Sequence, residues 1–74
     1  MLSRIGMRIQ QRRLTLGLTQ TELARRLSIG PANIHRIEHG KQNLTIDTLC
    51  RLAEALGTTV AELVTGQPPP ADAP

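Results

Sequence analysis

The chain has 74 residues, no Phe, Tyr or Trp, and one cysteine, Cys50, which excludes an intrachain disulfide, a cysteine zinc cluster and an aromatic-rich strand core. At this length a domain sits near the lower limit for folding without such staples, so Leu, Ile, Val, Ala and Met on packed helices must supply the core. The net charge of +3 is unevenly divided: residues 1–41 carry eight basic side chains against Glu22 and Glu38, whereas residues 42–74 carry Arg51 against Asp47, Glu54, Glu62 and Asp72.

Punctuation predicts five short helices. The first runs from Leu2 to Leu16 and stops at Gly17; Ile5, Ile9, Arg13 and Leu16 share one face, with an arginine in an otherwise apolar line. Thr19-Gln-Thr-Glu22 has capping-box spacing and opens a second helix to Leu27. After the turn Ser28-Ile29-Gly30, Pro31 starts a third helix where its missing N–H does no harm, and Gly40 ends it beyond His39. Thr45 caps a fourth helix whose apolar stripe is Ile46, Leu49, Cys50, Ala53 and Leu56, placing the Cys50 thiol in the core. Thr59-Val-Ala-Glu62 repeats the capping-box spacing for a fifth helix through Val64. Residues 1–66 read as one domain, and the Pro-rich stretch 67–74 as a disordered tail.

Two helices joined by three residues, the second Pro-started and basic, form a helix-turn-helix pattern. At ~100° per residue, Ile34 and Ile37 lie on the core side of the third helix. Ala32, Arg36 and His39 then lie opposite, with Asn33 and His35 on the flanks. Such a face suits the major groove, where Arg pairs with guanine, Asn with adenine, and Ala meets a thymine methyl. A basic half on a polyanion and an acidic half away from it agree with this.

Leu18-Thr-Gln-Thr-Glu-Leu-Ala-Arg-Arg-Leu27, Ile34-His-Arg-Ile-Glu-His-Gly-Lys41 and Leu49-Cys-Arg-Leu-Ala-Glu-Ala-Leu-Gly57 resemble the Cro/phage-repressor, or xenobiotic-response-element, type of helix-turn-helix regulator. The similarity extends from Ile5 to Val64 and implies an all-α five-helix bundle of the lambda-repressor type. Stand-alone members include restriction–modification controllers, small phage-type repressors and antitoxins. The resemblance implies a phosphate contact for Gln20, and base reading for Pro31, Ala32, Asn33 and Arg36. It implies backbone contacts for His39, Lys41 and Asn43, and a buried ion pair between Arg13 and Glu38. Ser28 departs from a glycine common in the turn, and Pro31 from a polar reader, which shifts the reading of bases toward Arg36 and Asn33.

The expected function is sequence-specific binding of double-stranded DNA as a homodimer on a palindromic operator, regulating transcription by occluding or recruiting RNA polymerase. The alternative is an antitoxin-type interaction module whose partner is a toxin. Val60, Leu63 and Val64, in the acidic half, are the expected dimer surface. His35 and His39 have a spacing two metal ligands could use, but no third ligand joins them, so no metal, cofactor or enzymatic activity is expected. No apolar run approaches the ~20 residues of a membrane span. The start Met1-Leu-Ser-Arg lacks the apolar stretch of a secretory signal, so the expected location is cytoplasmic.

Overall fold

The computed structural model describes residues 2–67; most of the expected tail, from residue 68 on, lies outside them. Five helices follow in order: α1 Leu2–Thr15, α2 Gln20–Leu27, α3 Pro31–Glu38, α4 Ile46–Ala55 and α5 Val60–Thr65. No strand occurs among the described residues. The fold is the expected all-α bundle.

Local chemistry sets the helix ends. At α2 the Thr19 hydroxyl accepts from the Glu22 N–H at 3.0 Å while Glu22 accepts from the Thr19 N–H at 3.0 Å, closing the reciprocal box. Donation to its carboxylate by Thr19, from the backbone N–H first and the hydroxyl second, holds Glu22 below its ordinary pKa. Thr45 caps α4 through the Thr48 N–H, and Thr59 caps α5 through the Glu62 N–H. The second capping box is only half made, because Glu62 accepts from the Thr58 hydroxyl at 2.7 Å.

Helix α2 ends at Ser28 with φ 56° and ψ 41°, a left-handed conformation on a residue with a Cβ. That geometry disfavours an L-residue by roughly 1–2 kcal/mol. Ser28→Gly is therefore expected to raise the melting temperature by several degrees, at about 4–8 °C per kcal/mol for a domain of this size. An unchanged or lower melting point in thermal unfolding would show that the turn carries no strain.

The core joins all five helices through Ile5, Ile9, Leu23, Leu27, Ile34, Ile37, Leu49, Leu52, Leu56 and Leu63. Four expectations change. Leu16 is exposed because α1 stops at Thr15, and Leu18 is buried in its stead. On α4 the buried stripe is Leu49, Leu52, Ala53 and Leu56. It is centred away from Ile46, which is 73% exposed, and the Cys50 thiol is exposed rather than in the core. Leu63 is 2% exposed, sealed within its own chain and so unavailable to a second copy. Val60 is half-buried and Val64 exposed.

Close approach of helices depends on two small residues. A Cβ at Gly6 would fall on the Ile37 carbonyl oxygen and 2.5 Å from that of Glu38, so α1 rests directly on the backbone at the end of α3. Gly40, with φ +67°, lies against Ser3 on the same seam; a Cβ there would be 2.9 Å from the Ser3 backbone. Arginines finish several helices. Arg8 donates to the Leu63 carbonyl at 3.1 Å and to that of Val64 at 2.6 Å. Arg12 donates to Leu56 at 2.9 Å and Gly57 at 3.1 Å, and Arg51 to the Leu27 carbonyl. Each places a cation where carbonyls at a helix C-terminus lack partners. Arg8 and Arg12 in the basic half, and Arg51 in the acidic one, therefore hold helices together.

Candidate nucleic-acid interface

Helix α3 is apolar behind and polar in front. Ile34, Ile37 and Glu38 are buried, while Pro31, Ala32, His35, Arg36 and His39 are exposed and Asn33 is half-buried. Gly30 begins the helix without a side-chain cap, and no acid lies in its first turn. No acid of its own first turn therefore opposes an anion at that end. After the left-handed Gly40 the chain folds back, with the Lys41 N–H on the Arg36 carbonyl at 2.9 Å. Lys41 and Asn43 are exposed beyond it.

Glu38 anchors the rear of this face. Arg13 Nε donates to Glu38 Oε2 at 2.6 Å and Nη2 to Oε1 at 3.1 Å, a two-point pair of buried residues. Arg13 Nη1 donates to the Leu18 carbonyl at 2.8 Å, and Gln20 Nε2 to Glu38 Oε1 at 3.0 Å. Among the described residues, no buried side-chain polar atom lacks a partner, as a charge in a low-dielectric interior requires. The arginine in the apolar line of α1 is thus one end of a network that joins α1, the start of α2 and the end of α3. Gln20, read from the resemblance as a phosphate contact, is half-buried and bound to Glu38. That bond uses one of its two amide N–H donors.

The front of α3 carries two further arrangements. The His35 and His39 rings stack with centroids 4.2 Å apart, and His39 Nδ1 donates to the His35 carbonyl at 2.8 Å. Among the described residues no group of three or more His, Cys, Asp or Glu side chains is placed to hold a metal. Arg36 donates from Nε to Gln42 Oε1 at 3.0 Å and from Nη2 to Asn33 Oδ1 at 2.7 Å. Gln42 had no place in the sequence reading. A polar residue six positions after an arginine reaches it only because the chain reverses at Gly40, and no helical spacing signals that.

Val60, Leu63 and Val64 do not form one open surface, since Leu63 points into the core. Among the described residues, no helix is long and apolar enough to cross a membrane.

The profile of the helix-turn-helix family matches residues 9–63. An uncharacterized HTH-type transcriptional regulator of Sinorhizobium fredii, y4dJ, is 38% identical over 61 residues, covering 82% of this chain and 79% of its own. The restriction–modification controller protein C.AhdI from Aeromonas hydrophila has a similar structure, with TM-score 0.80 and 29% identity over 84% of this chain and 94% of its own. The biofilm master regulator SinR, solved in complex with DNA, gives TM-score 0.75 and 31% identity over 81% of this chain and 97% of its own.

Proposed function

The chain belongs to the Cro/repressor-type helix-turn-helix family of transcription regulators, which bind double-stranded DNA, and on that premise we propose that it works as a cytoplasmic homodimer on a palindromic operator, with α3 in the major groove. The observation that carries this reading is the face of α3. Arg36 and Ala32 stand in solvent opposite the buried Ile34 and Ile37, and Pro31 is exposed at the start of the helix. Pro31 and Ala32 offer only apolar contacts, so Arg36 is the outward side chain suited to a two-point bond with guanine O6 and N7. Gln20, Lys41 and Asn43 contact phosphates, fixing register without reading sequence. His35 and His39 line the groove beside them. Regulation follows from occupancy of the DNA, and no catalytic step is involved.

Dimerisation is proposed because one recognition helix spans only a few base pairs, and two-fold pairing on a palindrome doubles the contacts. Helix α5 supplies the apolar surface for it, through Val64 and the open edge of Val60.

Selection of bound sites from a random double-stranded library is expected to recover two-fold symmetric sequences. Titrations at fixed salt against the selected site, a single-base variant and unrelated DNA then separate the roles. Arg36→Ala should lose about 1–3 kcal/mol for each lost base contact and relax one position per half-site. Lys41→Ala should weaken all three DNAs about equally. Equal losses for Arg36→Ala on all three would make Arg36 a backbone contact, and a library that yields no common sequence would remove operator recognition.

A further inference from the structure

An exposed arginine ordinarily samples many rotamers and must be ordered when it binds. Arg36 is held before any ligand arrives. Its Nε–H is taken by Gln42 Oε1 at 3.0 Å and one Nη2–H by Asn33 Oδ1 at 2.7 Å. Both acceptors belong to half-buried residues. One lies a turn earlier on α3. The other is carried back to Arg36 by the reversal at Gly40, which the Gly40 N–H to Ile37 carbonyl bond at 3.1 Å and the Lys41 N–H to Arg36 carbonyl bond at 2.9 Å fix.

A guanidinium has five N–H donors. Two are used here, and the remaining three lie on Nη1 and Nη2. That end presents two parallel donors, which match the adjacent acceptors O6 and N7 of guanine. The Asn33 carbonyl oxygen faces Arg36 and already accepts one bond from it, so it serves first to hold the guanidinium.

We infer that Asn33 and Gln42 are positioning residues that clamp Arg36 with its Nη1/Nη2 end outward for one guanine per half-site. The inference rests on the DNA-reading role proposed for α3 and adds a second, intramolecular determinant of specificity, Gln42. A clamp of this kind acts on discrimination rather than on general affinity, because phosphate contacts elsewhere are untouched. Removing one arm returns part of the ordering cost to the binding step, which corresponds to about two- to tenfold in discrimination.

The test compares the parent with Arg36→Ala, Asn33→Ala, Gln42→Ala and Gln42→Glu. Each is titrated at fixed salt against the selected site, its guanine-substituted variant and unrelated DNA. Gln42→Ala and Asn33→Ala are each expected to discriminate about two- to tenfold less while binding unrelated DNA like the parent. Gln42→Glu keeps the acceptor, so it should discriminate like the parent, with its added negative charge lowering affinity for all three DNAs alike. In the free protein, nitrogen-15 NMR should show a slowly exchanging Arg36 Nε–H in the parent and in Gln42→Glu that is lost in Gln42→Ala. Parent-like discrimination in both alanine variants, or an Arg36 Nε–H exchanging as fast as that of exposed Arg25, overturns the clamp and leaves the role of Arg36 intact. Loss of affinity without loss of discrimination in Arg36→Ala overturns the reading of α3 and the clamp with it, whatever the NMR shows.

Discussion

Glu38→Gln is expected to lower the melting temperature by roughly 12 °C or more. Both partners of the Arg13–Glu38 pair are buried, and the pair is bonded at two points. Neutralising Glu38 leaves the Arg13 guanidinium charged in a low-dielectric site with no counter-charge within bonding distance. Breaking such a pair from one side typically costs about 3–5 kcal/mol, and a domain of this size has roughly 4–11 kcal/mol in all. At about 4–8 °C per kcal/mol the loss is visible in any thermal melt. Arg13→Met should be comparably harmful, because the Glu38 side chain is fully enclosed and would keep only Gln20 as a partner. Combining the two should recover part of the loss, since no buried charge then remains. Recovery stays incomplete, because the Leu18 carbonyl loses the donor it has in Arg13 Nη1. Circular dichroism melts of the three variants check this. If both single variants melt with the parent, the pair is worth no more than a surface one.

A single methyl group at position 6 should also be damaging, though less so. Alanine is the better helix former by about 1 kcal/mol, so on propensity alone Gly6→Ala would stabilise α1. Its Cβ, however, would overlap the carbonyl oxygens of Ile37 and Glu38. These are backbone atoms that no rotamer change can move. The two helices must separate, at a cost in the 1–3 kcal/mol range of overpacked cores or above it, and we expect a net loss of about 2 kcal/mol. Gly30→Ala is the matched control: there the nearest atom to a new Cβ is the Asn33 amide nitrogen at 3.7 Å, and the backbone φ of −76° suits any residue. Thermal melts should show a large drop for the first and little change for the second. Because separating α1 from α3 also disturbs Arg13 and Glu38, Gly6→Ala and Glu38→Gln should combine less than additively. Parent-like stability in Gly6→Ala would mean that the helices do not meet as closely as the fold requires.

Helix ends were the most legible part of the sequence because their causes are local. Thr19 with Glu22, Pro31, Thr45 and Thr59 act within one turn of themselves, and α2 to α5 start where these residues place them. The core face of α3 was equally plain from Ile34 and Ile37. Side-chain burial near helix ends was less so. Leu16 drops out of register when α1 stops a residue earlier, and Ile46 and Cys50 fall just outside a stripe whose centre is Leu52. Leu63 shows the same limit: an apolar residue on a short terminal helix looks like interface until the helix is seen to pack on its own chain. The features that decide stability and the shape of the reading face are contacts between distant segments. Gly6 reads as a weak point in α1 until the α3 backbone lies against it, and Arg8, Arg12 and Arg51 read as surface charge until the helix ends they cap come within reach. Gln42 has meaning only through the turn that returns it to Arg36.

The bond from Gln20 to Glu38 has a further consequence. It fixes the leading end of α2 to the trailing end of α3, and Arg13 fixes both to α1. On the proposed mode of binding, the residues assigned to the phosphodiester strand and those assigned to the bases are braced against each other, and a subunit would dock with its angle already set. The proposed dimer is then expected to accommodate half-sites of unequal spacing poorly by flexing within a subunit. Any such latitude has to reside in the junction between two copies or in the bending of the DNA itself.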